Sequence, residues 1–199
     1  MGPALTDPVG VLLAGGLGRR IGGSKAVVEL HGKPLIAYPL EAMRQVLRDV
    51  AIIAKPNTEL PSLPGVTVWI EPPGRPHPLV GIVHALGLAG GREVLVCAAD
   101  MPFVSPALIS AIVHAELRGA PAAIASCAGE LQPLLGRYRP EAIAQLRAGA
   151  EDGRPVRQAV AALGPRLVDV EDPETLFNVN SPADLLQAAG MLDRRLPKV

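Results

Sequence analysis

The sequence has few aromatic residues, no net charge and no long apolar run. Five of its 199 residues are Phe, Tyr or Trp, too few for the aromatic platforms on which single-stranded nucleic acids stack. Lys plus Arg and Asp plus Glu number 19 each, so we expect no general affinity for nucleic acid or for an anionic membrane. No apolar run reaches the roughly 18 residues of a membrane-spanning helix.

Cysteine is also scarce, because the chain has only Cys97 and Cys127, far apart and without a CxxC companion. This spacing argues against a zinc site and favours two small buried residues of a reduced protein. Residues 1–8 lack a basic stretch followed by an apolar core, so no signal peptide is predicted. Together these features predict a cytoplasmic protein.

The rest of the composition is that of a globular protein. Hydrophobic residues make up 49% and charged residues 19% of the chain, which excludes a disordered protein. Glycine and proline occur 21 times each without a Gly-X-Y period, so they predict many turns rather than collagen. We find no internal repeat, and we predict a single domain over residues 1–199 with its core at about 9–190.

Short apolar runs typical of buried strands alternate along the chain with helical patterns. We predict strands at 9–14, 50–54, 66–70, 93–98, 122–126, 134–138 and 167–170, and helices at 34–47, 81–89, 106–117, 140–147, 156–163 and from 182 onward. This alternation predicts an α/β fold with a mostly parallel sheet. Ligands of such a fold bind outside the carboxyl ends of the strands.

The first predicted strand leads into a glycine-rich segment, Leu13-Ala-Gly-Gly-Leu-Gly-Arg-Arg-Ile-Gly-Gly-Ser-Lys25. It holds five glycines and three cations in thirteen residues, a composition typical of a polyphosphate site because backbone N–H groups and cations both bind anions. A Walker A loop fails because Ser24 follows Gly23 where lysine is required, and a GxGxxG fingerprint fails at Ile21. The alternative interpretation is a flexible surface turn.

Asp100 follows the fourth predicted strand, at the sheet edge where α/β proteins bind ligands. A carboxylate there suits Mg²⁺, which takes few protein ligands and bridges to phosphate oxygens; the alternative is an Asx turn before Pro102. Asn178 and Asn180 flank one residue, so in an extended segment their amides point the same way. The pair suits a metal or an acceptor group, or else a polar cap before the last helix.

These motifs and several others together resemble the MobA-like family of molybdenum cofactor guanylyltransferases. The further motifs are Glu29-Leu-His-Gly-Lys-Pro-Leu35, Pro78-Leu-Val-Gly81, Cys97-Ala-Ala-Asp-Met-Pro-Phe103, Gln132-Pro-Leu134 and Phe177-Asn-Val-Asn-Ser-Pro-Ala-Asp-Leu185. They run from about residue 9 to residue 186, nearly the whole chain. The resemblance implies a three-layer Rossmann-like nucleotidyltransferase fold around a mostly parallel central sheet.

The resemblance also implies an activity, the transfer of GMP from GTP to the phosphate of molybdopterin with release of pyrophosphate. GTP and molybdopterin, or the molybdenum cofactor, are then the substrates, and Mg²⁺ is the cofactor. Proteins of molybdenum cofactor biosynthesis and target molybdoenzymes are implied as partners. The implied catalytic residues are Lys25, Arg19 and Asp100, and the implied metal ligands are Asp100 and Asn180.

Substrate contacts follow from the same resemblance. Nucleotide contacts are implied for Leu13, Ala14, Gly15, Gly16, Gly18, Lys25, Glu71, Gly81 and Asp100, and acceptor contacts for Asn178, Asn180, Arg154 and Arg157. The sequence departs from the family pattern at two places. Ser24 stands where a carboxylate usually precedes the motif lysine, and the asparagine usual at the end of the second strand has only Asn57 as a counterpart, three residues beyond Ala54.

The motifs Leu-Ala-Gly-Gly and Asn-Val-Asn, which relatives that use GTP tend to carry, favour GTP over CTP. Alternatives with the same chemistry are a CTP-dependent molybdopterin cytidylyltransferase and an NTP transferase acting on a phospho-acid or sugar phosphate. An alternative from another class is a non-catalytic nucleotide-binding regulator. No covalent mechanism is expected, since Cys97 lies in an apolar strand and His77, His84 and His114 have no spacing typical of a nucleophile or metal site.

Overall fold

The computed structural model describes residues 7–15, 25–74 and 77–195. The strands in these ranges are β1 (Val9–Leu13), β2 (Glu29–Leu30), β3 (Lys33–Pro34), β4 (Val50–Ala54), β5 (Thr67–Ile70), β6 (Val94–Ala98), β7 (Ala122–Cys127), β8 (Glu130–Tyr138) and β9 (Arg166–Asp169). Seven of them form one sheet in the order β5-β4-β1-β6-β8-β7-β9. The other two, β2 and β3, form a small antiparallel hairpin.

All strands of the seven-stranded sheet except β8 run in the same direction. β1 pairs in parallel with β4 on one side and with β6 on the other, β4 pairs in parallel with β5, and β7 with β9. β8 is antiparallel to both of its neighbours, β6 and β7. The predicted mostly parallel sheet is therefore confirmed. Its order makes β1 and β6 the topological switch point, the usual ligand position in such sheets.

Helices cover both faces of the sheet and give it three layers. They are α1 (Ala37–Arg44), α2 (Pro78–Leu88), α3 (Pro106–His114), α4 (Ile143–Glu151), α5 (Val156–Ala161) and α6 (Pro182–Arg195). Leu12 of β1 packs in one apolar cluster with α1 and α3, and its neighbour Val11 packs in another with α2, α4 and α5, because successive strand residues face opposite sides. Within the described ranges, no helix has the length and apolar character needed to cross a membrane.

The last helix, α6, closes a third apolar cluster and holds the segment before it. This cluster consists of Leu30, Leu35, Phe103, Val179, Ala188 and Met191. At the helix start, the N–H of Asp184 donates to Ser181 Oγ at 3.2 Å, and Asp184 Oδ2 accepts the N–H of Asn180 at 2.9 Å. These bonds have the form of a capping box, shifted by one residue on its return bond. They fix the Asn-Val-Asn segment against the sheet.

The structure corrects several predicted boundaries. α1 begins at Ala37 rather than at residue 34, because Pro34 belongs to the unpredicted hairpin. α2 begins at Pro78 rather than at residue 81, so the motif Pro78-Leu-Val-Gly81 forms the first turn of a helix. β5 was predicted as a buried strand, but it is an edge strand in which Ile70 is 52% exposed. The single-domain organisation stays a prediction.

Candidate functional site

The candidate site is built on the carboxyl ends of β1, β4, β5 and β6. The strand register pairs Leu13 of β1 with Ile53 of β4 and with Ala98 of β6. It also pairs Ala54 of β4 with Ile70 of β5. The four strands therefore end at one level, and the residues that follow them meet at one edge of the sheet.

Backbone hydrogen bonds continue beyond the strand ends and hold these following residues. The N–H of Glu71 donates to the Ala54 carbonyl at 2.8 Å. The N–H of Ala99 donates to the Leu13 carbonyl at 3.2 Å. Glu71 and Asp100 are thereby held on the rigid sheet edge rather than on free loops, which suits residues that must meet a ligand with fixed geometry.

A cavity of about 290 Å³ opens at this edge. It is lined by Leu13, Gly15, Ile53, Lys55, Glu71, His77, Pro78, Gly81, Ala98, Asp100 and Leu134. Five of the predicted nucleotide-binding residues, Leu13, Gly15, Glu71, Gly81 and Asp100, are among them. Their convergence at the switch point of the sheet is the arrangement in which α/β proteins hold a ligand.

Glu71 gives the cavity a buried carboxylate, because the residue is only 7% exposed. Burial raises the pKa of this carboxyl, while the Lys55 ammonium, and His84 when it is protonated, lower it in part. A Cβ on Gly15 would lie 3.2 Å from Glu71 Oε2 and 3.4 Å from Lys55 Cε. An acidic and a basic side chain therefore meet over the backbone of Gly15, and they give the cavity acceptors and donors side by side.

The N-terminus of α2 forms another wall of the cavity. His77 caps the helix, since its Nδ1 accepts the N–H of Leu79 at 3.3 Å. With Nδ1 as acceptor, Nε2 carries the hydrogen and donates to the Arg154 carbonyl at 3.1 Å. Gly81 lets the helix approach β1, because a Cβ there would lie 3.1 Å from Leu13 Cδ2. A helix N-terminus at the cavity favours an anionic ligand there.

A second cavity of about 220 Å³ adjoins the first, since Leu134 lines both. Its lining residues are Met101, Gln132, Pro133, Leu134, Val156, Arg157 and Asn178. Two of the predicted acceptor-binding residues, Arg157 and Asn178, thus line one space. Arg157 Nη1 lies 3.1 Å from Glu130 Oε2, and Asn178 Nδ2 donates to the Leu176 carbonyl at 2.9 Å, which leaves Oδ1 of Asn178 as an acceptor.

Asp100 is joined through its backbone to the Asn-Val-Asn segment. Its carbonyl accepts the N–H of Val179 at 2.9 Å. Val179 is fully buried, Asn178 is half-buried and Asn180 is exposed, the alternation of an extended segment. Across the described ranges, no three His, Cys, Asp or Glu side chains form a group that could hold a metal ion. A metal at Asp100 would therefore need ligands from its substrate.

Part of the glycine-rich segment lies outside the described residues. That part includes the predicted residues Gly16, Gly18 and Arg19, and the side chain of Lys25. The backbone of Lys25 opens a short 3-10 helix at Lys25–Val27. Gly15, the last described residue before the gap, lines the cavity.

Two other predicted contacts, Ala14 and Arg154, are absent from both cavity linings. Ala14 is buried in the core, and its N–H donates to the Ile53 carbonyl at 2.8 Å. The Arg154 side chain pairs with Asp152 at 3.3 Å and is not part of either cavity lining. The structure therefore brings Arg157, but not the side chain of Arg154, to the predicted acceptor site.

Sequence reasoning misses two polar residues of the first cavity. Lys55 directly follows β4 and lines the cavity, whereas Asn57 is exposed two residues further along. The rule that residues after parallel strands meet the ligand would have indicated Lys55. His77 has no spacing typical of a nucleophile or metal site, and it caps α2 through its bond to Leu79. The residue nevertheless also lines the cavity.

The structure offers no activated thiol at this edge. Cys97 is fully buried in β6, and burial raises the pKa of its thiol well above the usual value. A buried neutral thiol is a poor nucleophile. His114 on α3 is likewise occupied within its own helix, since its Nδ1 lies 2.8 Å from the Ser110 carbonyl. The geometry therefore favours chemistry between two bound substrates.

Comparison with known sequences identifies a family match and similar proteins. Residues 10–167 match the MobA-like NTP transferase domain family. The chain is 35% identical over 190 residues to a Chloroflexus aggregans protein named probable molybdenum cofactor guanylyltransferase, and the match covers 88% of this chain and 90% of the relative.

Solved structures share the fold. Molybdopterin-guanine dinucleotide biosynthesis protein A from Archaeoglobus fulgidus has a TM-score of 0.73 at 24% identity, over 94% of this chain and 99% of its own. The 2-C-methyl-D-erythritol 4-phosphate cytidylyltransferase from Thermus thermophilus has a TM-score of 0.67 at 23% identity, again over 94% and 99%. These likenesses show the fold, and a fold alone does not decide which nucleotide is used.

The sheet order, the cavity at its switch point and these comparisons define an α/β nucleotidyltransferase. The chain belongs to the MobA-like NTP transferase family, as the family match and the relative at 35% identity show. The family and the enzyme class predicted from the sequence are therefore confirmed.

Proposed function

We propose that the chain transfers GMP from GTP to the terminal phosphate of molybdopterin and releases pyrophosphate. The observation that carries the proposal is the cavity at the β1–β6 switch point, lined by Gly15, Glu71 and Asp100 and adjoined by a second cavity with Arg157 and Asn178. Two adjoining cavities suit a reaction between two bound substrates. The name of the Chloroflexus relative, probable molybdenum cofactor guanylyltransferase, supports the choice of nucleotide and acceptor.

In this proposal the nucleotide binds in the first cavity and the acceptor in the second. The acceptor phosphate attacks the α-phosphorus of GTP in line, and the bond to the β-phosphate breaks so that pyrophosphate leaves. Lys25 and the adjacent pair Arg19 and Arg20 supply positive charge to the triphosphate and to the leaving group. The two cavities hold the reacting groups together, so positioning and charge neutralisation provide the catalysis and no protein nucleophile is needed.

The residues at the site fit a Mg²⁺ ion. Asp100 lines the cavity proposed for the triphosphate, and Mg²⁺ usually takes one or two carboxylates and completes its shell with phosphate oxygens and water. Asn180 belongs to the segment that is bonded to the Asp100 carbonyl through Val179, and its amide oxygen is the further ligand that we propose. When bound, the ion supplies positive charge to the phosphate oxygens.

The proposal is tested by incubating the protein with molybdopterin, Mg²⁺ and each of the four ribonucleoside triphosphates. We expect a dinucleotide product with GTP and release of pyrophosphate that depends on the acceptor. A product with CTP instead would identify a cytidylyltransferase, and turnover only with a phospho-acid or sugar phosphate would identify another NTP transferase. Nucleotide binding without turnover on any acceptor would identify a regulator. The cytoplasmic location and the protein partners stay predictions.

Gly15→Val is expected to weaken GTP binding much more than it lowers stability. A Cβ at this position would lie 3.2 Å from Glu71 Oε2 and 3.4 Å from Lys55 Cε, so the two further methyl groups of valine enter the proposed nucleotide space. The affinity for GTP, measured by calorimetry, should fall by roughly tenfold or more. The backbone of Gly15 is not in the left-handed region, so it does not itself exclude valine.

Gly15→Ala is the matched control for this variant. A single Cβ requires the ends of two flexible side chains to move by only a few tenths of an ångström, so the loss of affinity should be smaller than for valine. Thermal unfolding checks that both variants are folded. A folded valine variant with wild-type GTP affinity would contradict the placement of the nucleotide over Gly15.

A further inference from the structure

We propose that Lys55 selects the base of the nucleotide. In this arrangement the Lys55 ammonium donates to the 6-oxo group of a guanine, while N1–H and the 2-amino group of the same base donate to the Glu71 carboxylate. The inference rests on the proposed function and adds to it a residue that determines specificity.

The order of the strands separates a base end from a phosphate end in the first cavity. Lys55 and Glu71 directly follow β4 and β5, which pair in parallel on one side of β1. Asp100 follows β6, which pairs with β1 on the other side. From β5 to β6 there are three strand spacings, about 14 Å in all, a span that an extended nucleoside triphosphate can cover. With its phosphates near Asp100, the nucleotide has its base over Lys55 and Glu71.

The two side chains are available to a ligand. In the part of the chain that the structure describes, no hydrogen bond or ion pair holds the Lys55 ammonium or the Glu71 carboxylate. Glu71 is nevertheless only 7% exposed, and burial of a carboxylate without hydrogen bonds is costly. The nearby Lys55 ammonium, and His84 when it is protonated, offset this cost in part. A bound group that donates hydrogen bonds to Glu71 would offset it further.

The order of donors and acceptors at this end of the cavity matches guanine. Guanine presents one acceptor, O6, next to two donors, N1–H and the 2-amino group. A lysine ammonium only donates and an ionised glutamate only accepts, so Lys55 beside Glu71 is complementary to that edge. Adenine and cytosine carry an amino group where guanine carries O6, so that two donors would meet at Lys55, and such mismatched pairs are what makes a polar site selective.

The test measures binding of three triphosphates to the wild-type protein and to Lys55→Met by calorimetry, with Mg²⁺ and without acceptor. The triphosphates are GTP, inosine triphosphate, which lacks only the 2-amino group, and 2,6-diaminopurine riboside triphosphate, which has an amino group in place of O6. The wild type should prefer GTP to the diaminopurine nucleotide by on the order of tenfold to a hundredfold. Lys55→Met should reduce this preference to the part that comes from N1, which donates to Glu71 in guanine but carries no hydrogen in diaminopurine, and should leave the ratio of GTP to inosine triphosphate unchanged.

Lys33→Met is the control variant, because it removes the same charge from a lysine of the β2–β3 hairpin. Lys33 pairs with Glu41 of α1 and lies outside the cavity lining. The control variant should bind all three nucleotides as the wild type does. Lys55→Gln, which keeps an N–H donor without the charge, provides a second variant and should show an intermediate preference. Thermal unfolding verifies that each variant is folded.

The outcomes separate the role of Lys55 from the proposed function. If Lys55→Met weakens binding of all three nucleotides by the same factor, Lys55 anchors phosphate and the inference is overturned. A wild-type protein that binds the diaminopurine nucleotide as tightly as GTP also overturns it, although GTP turnover with molybdopterin would still support the proposed function. A wild-type protein that forms its dinucleotide product with CTP rather than GTP, in the assay with four triphosphates described above, overturns both.

Discussion

Asp100→Ala is expected to lower kcat by about a thousandfold or more while the protein stays folded. Asp100 follows β6 and lines the first cavity at the switch point of the sheet, where we propose that its carboxylate holds Mg²⁺. Loss of positive charge at the transferring phosphate removes several kcal/mol of transition-state stabilisation, and about 4 kcal/mol corresponds to a thousandfold in rate.

The fold should tolerate this change, because the Asp100 carbonyl, which accepts the Val179 N–H at 2.9 Å, is kept in the alanine variant. Asp193→Ala is the control, since that carboxylate is 65% exposed on α6 and is absent from both cavity linings. Binding of Mn²⁺ in the presence of GTP, followed by electron paramagnetic resonance, gives a readout other than turnover and should weaken only for Asp100→Ala. Near-normal turnover at saturating Mg²⁺ would rule out the proposed role of Asp100.

The central strands could be predicted from the sequence because both faces of each are covered. The apolar runs of β1, β4 and β6 give their boundaries to within one residue, as expected for parallel strands buried on both sides. The run Thr67–Ile70 has the same apolar character, yet Val68 is 42% and Ile70 52% exposed because β5 lies at the sheet edge. A strand's place in the sheet depends on distant pairing, which its own residues do not encode.

Local sequence signals indicate some helix starts and turns but not others. Ser105 is an ordinary N-cap, and its Oγ accepts the Leu108 N–H at 3.2 Å. His77 caps α2 in the same way, but histidine is not among the residues that indicate a cap. The β2–β3 hairpin turns at His31 and Gly32 with φ of 51° and 72°, and a residue other than glycine is uncommon in that conformation.

Two kinds of signal bear on the site: the resemblance to a family, and the rule that residues after parallel strands line the ligand site. Resemblance named Gly15, Glu71 and Asp100, which the strand ends bring to one cavity. It passed over Lys55, because the family pattern directs attention to an asparagine that the chain lacks there. The physical rule that residues after parallel strands line the ligand site indicates Lys55 without any family pattern. The structure therefore adds most to the description of the site at positions where the sequence departs from the family pattern.

Lys25→Ala is expected to lower kcat by roughly a hundredfold or more, since one charged contact to the departing pyrophosphate is worth about 3 kcal/mol. Lys25 ends the glycine-rich segment, and its backbone opens the short helix at Lys25–Val27. Negative charge grows on the pyrophosphate as the bond to the α-phosphorus breaks, so a cation there stabilises the transition state more than the bound substrate. The affinity for GTP should fall less, because Arg19 and the glycine N–H groups still bind the triphosphate.

Lys25→Arg distinguishes this role from a general effect of charge. Arginine keeps the charge but replaces a compact ammonium with a planar guanidinium, so kcat should recover only in part. The kcat and the Kd for GTP are measured for both variants. A lysine that only solvates the loop would give small and equal changes in the two. If Lys25→Ala weakened the Kd and left kcat unchanged, Lys25 would anchor the nucleotide, and its role in stabilising the leaving group would be wrong.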